Sequence, residues 1–150
     1  MTREQIARVR QSWATLAPVA PRLAQAFYHQ LFELDPAVRC VFAHVDLTAR
    51  GIKFAATLDL LVATLDDPDR MVAELAGLGR RHSGYGVSER HYDLVGEALL
   101  WALEHALAPS WNAELQEGWS AAYILIASIL KRAGQRASGG FPAVTRPVAH

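Results

Sequence analysis

The chain has 150 residues, 51% of them hydrophobic, and its 15 Lys and Arg cancel its 15 Asp and Glu. That length suits one domain with a substantial core, and the balanced charge leaves no long-range field to recruit nucleic acid or an acidic membrane surface. The single cysteine, Cys40, cannot form an internal disulfide, and no apolar run approaches the roughly twenty residues of a membrane span.

Thr2 and Gln5 have the spacing of a capping box that opens a helix carrying Ile6, Val9, Trp13 and Leu16 on one face. Pro18 and Pro21 end it, and Pro21 suits the first turn of a second helix with Ala24, Phe27, Tyr28, Leu31 and Phe32 as its apolar face. Pro36 opens a short piece ending near Phe42. Residues 43–48 read as a loop, from which Asp46 or Thr48 caps a helix running to about Leu65. Its inward stripe is Arg50, Phe54, Thr57, Leu58, Leu61 and Leu65. Pro68 starts the next helix, which ends at His82 before Gly84 and Gly86; Ser88 then caps a helix presenting Leu94, Val95, Ala98, Leu99 and Leu103. After Pro109 a final helix aligns Leu115, Trp119, Ala122, Tyr123, Ile126 and Leu130. The pattern dissolves at Gly134, so residues 1–134 are expected to form the domain and 135–150, rich in glycine, serine, proline and alanine, a flexible tail. With no period-two alternation long enough to demand a sheet, the chain reads as all-α.

His82 stands apart from the other histidines. Met71, Leu75, Leu78 and His82 fall on one narrow stripe at about 100° per residue, so the imidazole is expected to point inward. A buried imidazole needs partners for both nitrogens, and a backbone carbonyl or a metal would each serve. Spacing alone leaves a structural histidine and an iron ligand both open. Since Met1 leads into a polar amphipathic segment rather than a signal peptide, a cytoplasmic protein is expected, either monomeric or homodimeric.

Three ordered blocks narrow the choice. Leu78-Gly79-Arg80-Arg81-His82, Tyr85-Gly86-Val87 and His91-Tyr92-Asp93-Leu94-Val95-Gly96 form one, Trp119-Ser120-Ala121-Ala122-Tyr123 a second, and Phe27-Tyr28, Leu31-Phe32 and Pro36 to Phe42 a third. Over residues 4–133 the chain resembles the globins, specifically single-domain bacterial haemoglobins and the neuroglobin-like group. The resemblance implies a three-over-three helical sandwich around haem, with His82 as the axial iron ligand. Haem b is implied because no Cys-x-x-Cys-His is present for covalent attachment. Phe42 matches the phenylalanine that stacks on the haem, and Tyr28 the distal tyrosine whose hydroxyl donates to bound dioxygen. Each also has a plain reading, as a core aromatic and as a tyrosine bonded to a carbonyl.

Arg50 falls where neuroglobin-like proteins carry a distal histidine and several bacterial globins a glutamine. A guanidinium has no available lone pair, so it cannot ligate iron. It is expected either to donate to dioxygen, nitrite or another anion, to reach a haem propionate, or to lie exposed at the helix start. Phe54, one turn later, is expected to crowd the distal pocket, with Lys53 at its flank beside a propionate. Arg81, next to His82, and Tyr92 complete the expected haem contacts, and His44 in the loop is a rival ligand.

The resemblance implies reversible binding of dioxygen, nitric oxide or another diatomic gas. Nitric oxide dioxygenase or nitrite reductase chemistry with a separate reductase is the enzymatic alternative, since no Gly-x-Gly-x-x-Gly follows a strand; a gas or redox sensor is a third. In many catalytic relatives a tyrosine and a glutamate raise the basicity of the axial histidine. Tyr92 is retained here, but no acidic residue follows Glu117, and Gly134 occupies the expected place of the carboxylate. A more neutral axial imidazole follows. In resonance Raman spectra of the ferrous protein, the iron–histidine stretch should lie below the peroxidase range; a peroxidase-like frequency refutes the inference.

Overall fold

The computed structural model describes the backbone of residues 1–42, 46–84 and 89–139, and the side chains of 1–40, 46–76 and 89–133. Within these the chain forms six α-helices: α1 (Arg3–Leu16), α2 (Ala20–Leu34), α3 (Leu47–Ala63), α4 (Pro68–Gly84), α5 (Glu89–Leu107) and α6 (Ala113–Gly139). One 3-10 turn, Ala17–Val19, joins α1 to α2, and another, Pro36–Phe42, follows α2. No strand occurs among the described residues, as the periodicity predicts.

The helices start where local chemistry dictates. Thr2 and Gln5 form the expected capping box, with Gln5 N donating to Thr2 Oγ1 at 3.1 Å and Thr2 N to Gln5 Oε1 at 3.0 Å. At α3 the choice between two caps resolves to Asp46, whose Oδ1 accepts from Thr48 N at 2.9 Å. Asn112 does the same for α6, accepting from Leu115 N at 2.9 Å. The last helix departs from expectation: α6 runs through Gly134 to Gly139. A glycine inside a helix costs about 1 kcal/mol relative to alanine, and Lys131, Arg132, Ala133, Gln135, Arg136 and Ala137 around it are strong helix formers that offset this.

Burial packs the helices around two hubs, α6 and α2. Helix α6 packs against α1, α4 and α5, and α2 against α3 and α5, with α1 also touching α3. The core runs through Val9, Leu23, Leu61, Met71, Leu75, Leu103 and Trp119, all essentially inaccessible. Dense apolar packing of this kind is the main favourable term in folding.

Among the described residues, the buried polar side chains Ser12, Asp35 and Thr64 each have a hydrogen-bond partner. Trp119 Nε1 donates to Ser12 Oγ at 2.9 Å, and Ser12 Oγ donates to Val9 O at 2.9 Å, so a buried indole and a buried hydroxyl satisfy each other. Trp13, edge-on to Trp119 at 6.3 Å, donates its Nε1 to Asp59 of α3 at 2.7 Å. Arg10 closes the far end of α3, donating to the carbonyls of Val62 and Ala63 and pairing with Asp66 at 2.9 Å. A cation on terminal carbonyls is favourable in charge as well as in hydrogen bonding. Helix α1 therefore fixes where α3 ends.

At the opposite corner Arg90 of α5 pairs with buried Asp35 at 2.5 Å, while Asp35 Oδ1 accepts from Ala37 N at 3.0 Å. The hydrogen bond from Arg90 holds the Asp35 carboxyl below its ordinary value, and Arg10 does the same for Asp66. A carboxylate whose folded pKa is depressed contributes stability that is present above its unfolded pKa, about 3.9, and lost as pH falls through the folded value. Asp35→Asn should therefore lower the urea midpoint more at pH 7 than near pH 3, where the contribution is being lost. An equal loss at both pH values would show that the ion pair contributes nothing.

Candidate functional site

The structure brings three of the expected site residues together where α2 and α3 cross. A Cβ added at Gly51 would stand 3.2 Å from Ala24 Cβ, so the helices meet at nearly the closest separation side chains permit. One turn further along each helix, Phe54 stacks on Phe27 with centroids 4.5 Å apart and planes at 22°. These contacts fix the register of α3 against α2. Arg50, beside Gly51 and one turn before Phe54, is thereby set toward Tyr28, one turn after Ala24.

Aromatic rings wall the Tyr28 phenol. Its ring lies 4.9 Å from Phe27, 6.1 Å from Phe54 and 6.2 Å from Phe32, and the residue is 9% exposed. Burial pushes the phenol pKa up, and the Arg50 guanidinium pulls it partly back. The hydroxyl stays protonated and remains a donor. Arg50 is half-buried, with its Nε sealed from solvent. Lys53, on the outer face of α3, is exposed. Arg39 lies over the Phe32 ring, its Cζ 5.0 Å from the centroid.

A second close approach shapes the start of α5. A Cβ at Gly96 would lie 2.7 and 2.9 Å from ring carbons of Tyr123, so glycine is what lets that ring approach α5 so closely. From there the Tyr123 hydroxyl donates to the backbone carbonyl of Tyr92 at 2.5 Å. Burial raises the Tyr123 pKa far above that of a free phenol. Tyr92 is buried, and Lys131 Nζ of α6 sits 5.6 Å from its ring centroid.

The remaining expected residues divide by element. Arg81 and His82 belong to α4, on the same helix as the buried Met71 and Leu75, and Phe42 ends the second 3-10 turn; their side chains lie outside the described residues. So does His44. The sequence reading missed Gly51, Gly96 and the hydrogen bond of Tyr123. The signal for the first two was a glycine inside an otherwise helical pattern, which commonly marks close backbone approach.

The globin family model matches residues 25–130. The chain belongs to the globin family. It is 28% identical over 137 residues to neuroglobin from Danio rerio, covering 83% of this chain and 86% of that protein. Identity to an anaerobic nitrite reductase from Arabidopsis thaliana is 30% over 144 residues, covering 87% of this chain and 91% of that protein. A flavohemoprotein from Xylella fastidiosa is 29% identical over 129 residues; the match covers 84% of this chain but only 32% of the flavohemoprotein.

Membership implies haem and small gaseous ligands, and the donor set at the crossing fits them. Phe27, Phe32 and Phe54 offer apolar surface of the kind a flat macrocycle needs, and Tyr28 and Arg50 supply protonated donors among them. No helix among the described residues is long and apolar enough to cross a membrane.

Gly51→Val places a branched side chain where a Cβ alone is already tight. The expected cost is about 1–3 kcal/mol in urea unfolding, typical of overpacking a core contact. An unaltered urea midpoint would show that α2 and α3 have room to spare.

Proposed function

We propose that this globin binds dioxygen and other diatomic gases reversibly at haem b, whose iron His82 would hold while Tyr28 and Arg50 would serve the bound gas as donors. The observation that carries this reading is the buried, protonated Tyr28 hydroxyl beside the Arg50 guanidinium, walled by Phe27 and Phe54. The donor chemistry of the two is what an incoming polarisable gas requires.

Ferrous haem would supply an iron able to bind a diatomic gas. Around it, Tyr28 donates a hydrogen bond to the ligand and Arg50 adds a charge-assisted one. Phe54 limits the size of the ligand and excludes water. Phe42 would supply an aromatic face for the macrocycle, and Lys53 and Arg81 would supply cations for its propionates. His82 would hold the iron, and Tyr92 would be the residue that tunes its imidazole. No acidic residue follows Glu117 to strengthen that imidazole, which favours holding a ligand over breaking it.

A second reading has its own support. The relatives include proteins named anaerobic nitrite reductase and flavohemoprotein, and Arg50 suits an anionic substrate. Nitrite reductase or nitric oxide dioxygenase activity would draw electrons from a separate reductase.

The purified protein should show a haem Soret band and, when ferrous and exposed to air, a stable oxygenated spectrum. Tyr28→Phe should speed oxygen dissociation by about tenfold or more, the loss of one hydrogen bond in a buried site. An unchanged rate removes Tyr28 from the ligand's surroundings. Rapid autoxidation, with nitrate formed from nitric oxide over many turnovers when a reductase is added, would favour the enzymatic reading.

A further inference from the structure

Helix α6 packs on α1, α4 and α5 and turns one face outward. At the middle of that face Ile124 is 65% exposed, although Ala122, Ile126 and Ala127 around it are buried. At about 100° per residue, Glu117, Ser120, Ala121, Ser128 and Lys131 all fall within about 60° of Ile124, on one stripe. The order along it is acidic, small, apolar, small, basic. Glu117 and Lys131 each stand seven residues from Ile124, about 10 Å along the axis in either direction. Beside Ile124 a cleft of about 440 Å³ opens toward α5, lined by Gly96, Tyr123 and Ala127, with Asp93 and Glu97 on its α5 wall.

A single exposed apolar side chain is ordinary; the arrangement around this one is not. A two-fold axis through Ile124, perpendicular to α6, exchanges the two ends of the stripe. Glu117 then falls opposite Lys131 of a second copy, and Lys131 opposite that copy's Glu117. Such self-complementarity is what a two-fold interface requires. None of the ion pairs among the described residues engages Glu117 or Lys131. The Ser128 hydroxyl donates to the Ile124 carbonyl at 2.8 Å, so it is satisfied within α6 and can be covered without loss. Short side chains at 120, 121 and 128 let two such helices approach until each Ile124 packs at the mouth of the other copy's cleft. Two α5 walls could not pair in this way, because Asp93 and Glu97 would face like charges.

We propose that the outward face of α6 is a homodimer interface, in which two copies pair antiparallel about an axis at Ile124 and close two Glu117–Lys131 ion pairs. Apolar burial around Ile124 drives association, whereas the exposed ion pairs, weak individually, set register and direction. The proposal is independent of the haem reading.

Sedimentation equilibrium of the purified protein at about 100 µM should show a dimer, with the micromolar affinity of a small interface. Glu117→Lys sets like charges across both ends of the axis and should weaken association by at least about tenfold, as should Lys131→Glu. Mixed in equal amounts, these two variants should form a heterodimer with an affinity close to wild type, since each like-charged copy then meets its opposite. Ile124→Glu brings two carboxylates together at the axis and should leave a monomer, with circular dichroism and thermal midpoint near wild type because the side chain is exposed in the single chain. A wild-type protein that stays monomeric at this concentration overturns the proposal. So does a dimer unmoved by Ile124→Glu, which would place the interface elsewhere, or a mixture of the two charge variants that associates no better than either alone, which would remove the antiparallel register.

Discussion

The contact between Gly51 and Ala24 is the constraint on which the candidate pocket depends. Two helices with ordinary side chains at their crossing stand farther apart, and everything carried one turn away moves with them. Here the small residues let α3 approach α2 until a Cβ would lie 3.2 Å from its neighbour. That approach allows Phe54 to stack on Phe27 and turns Arg50 toward Tyr28. Because packed interiors resist small displacements, the pocket inherits its precision from this contact. Helix α1 contributes by holding the other end of α3, through Trp13 on Asp59 and Arg10 on the carbonyls of Val62 and Ala63. One end of α3 is set by steric fit, the other by hydrogen bonds.

The same device recurs at α5. Gly96 admits the ring of Tyr123, and the phenol reaches the Tyr92 carbonyl, whose second lone pair remains open even when the helix uses the first. Asp35 ties the start of α5 to the end of α2 and also organises the 3-10 turn that ends at Phe42. Each corner of the site therefore rests on a residue with no role in ligand chemistry. A glycine at each crossing and one carboxylate at the bend define where the functional side chains can be.

Much of the architecture was legible because burial writes a period into the sequence. Phe27, Tyr28, Leu31 and Phe32 proved to be a buried face of α2, and Met71 and Leu75 a buried stripe of α4. The Thr2–Gln5 box was readable because both of its hydrogen bonds are local. What escaped depends on distance in sequence. Whether Arg50 faces a phenol or solvent is decided by a residue on another helix, and no local pattern encodes it. The choice between Asp46 and Thr48 as cap turns on backbone geometry, since both residue types serve. Gly134 misled in the opposite sense: a locally unfavourable residue was carried by the helix formers around it.

On the haem reading, the charges around the site point one way. Arg50 brings a cation to the ligand side, Lys131 places another over the Tyr92 ring, and the last helix offers no carboxylate after Glu117. Positive charge near a haem favours its electron-rich states, namely the reduced iron and the oxidised iron that has acquired an anion. Negative charge behind the axial histidine would do the opposite, pushing electron density outward to break a bound ligand's bond. The two arrangements suit different tasks. On that reading, a site with its cation in front and no anion behind would favour holding a ligand over breaking it.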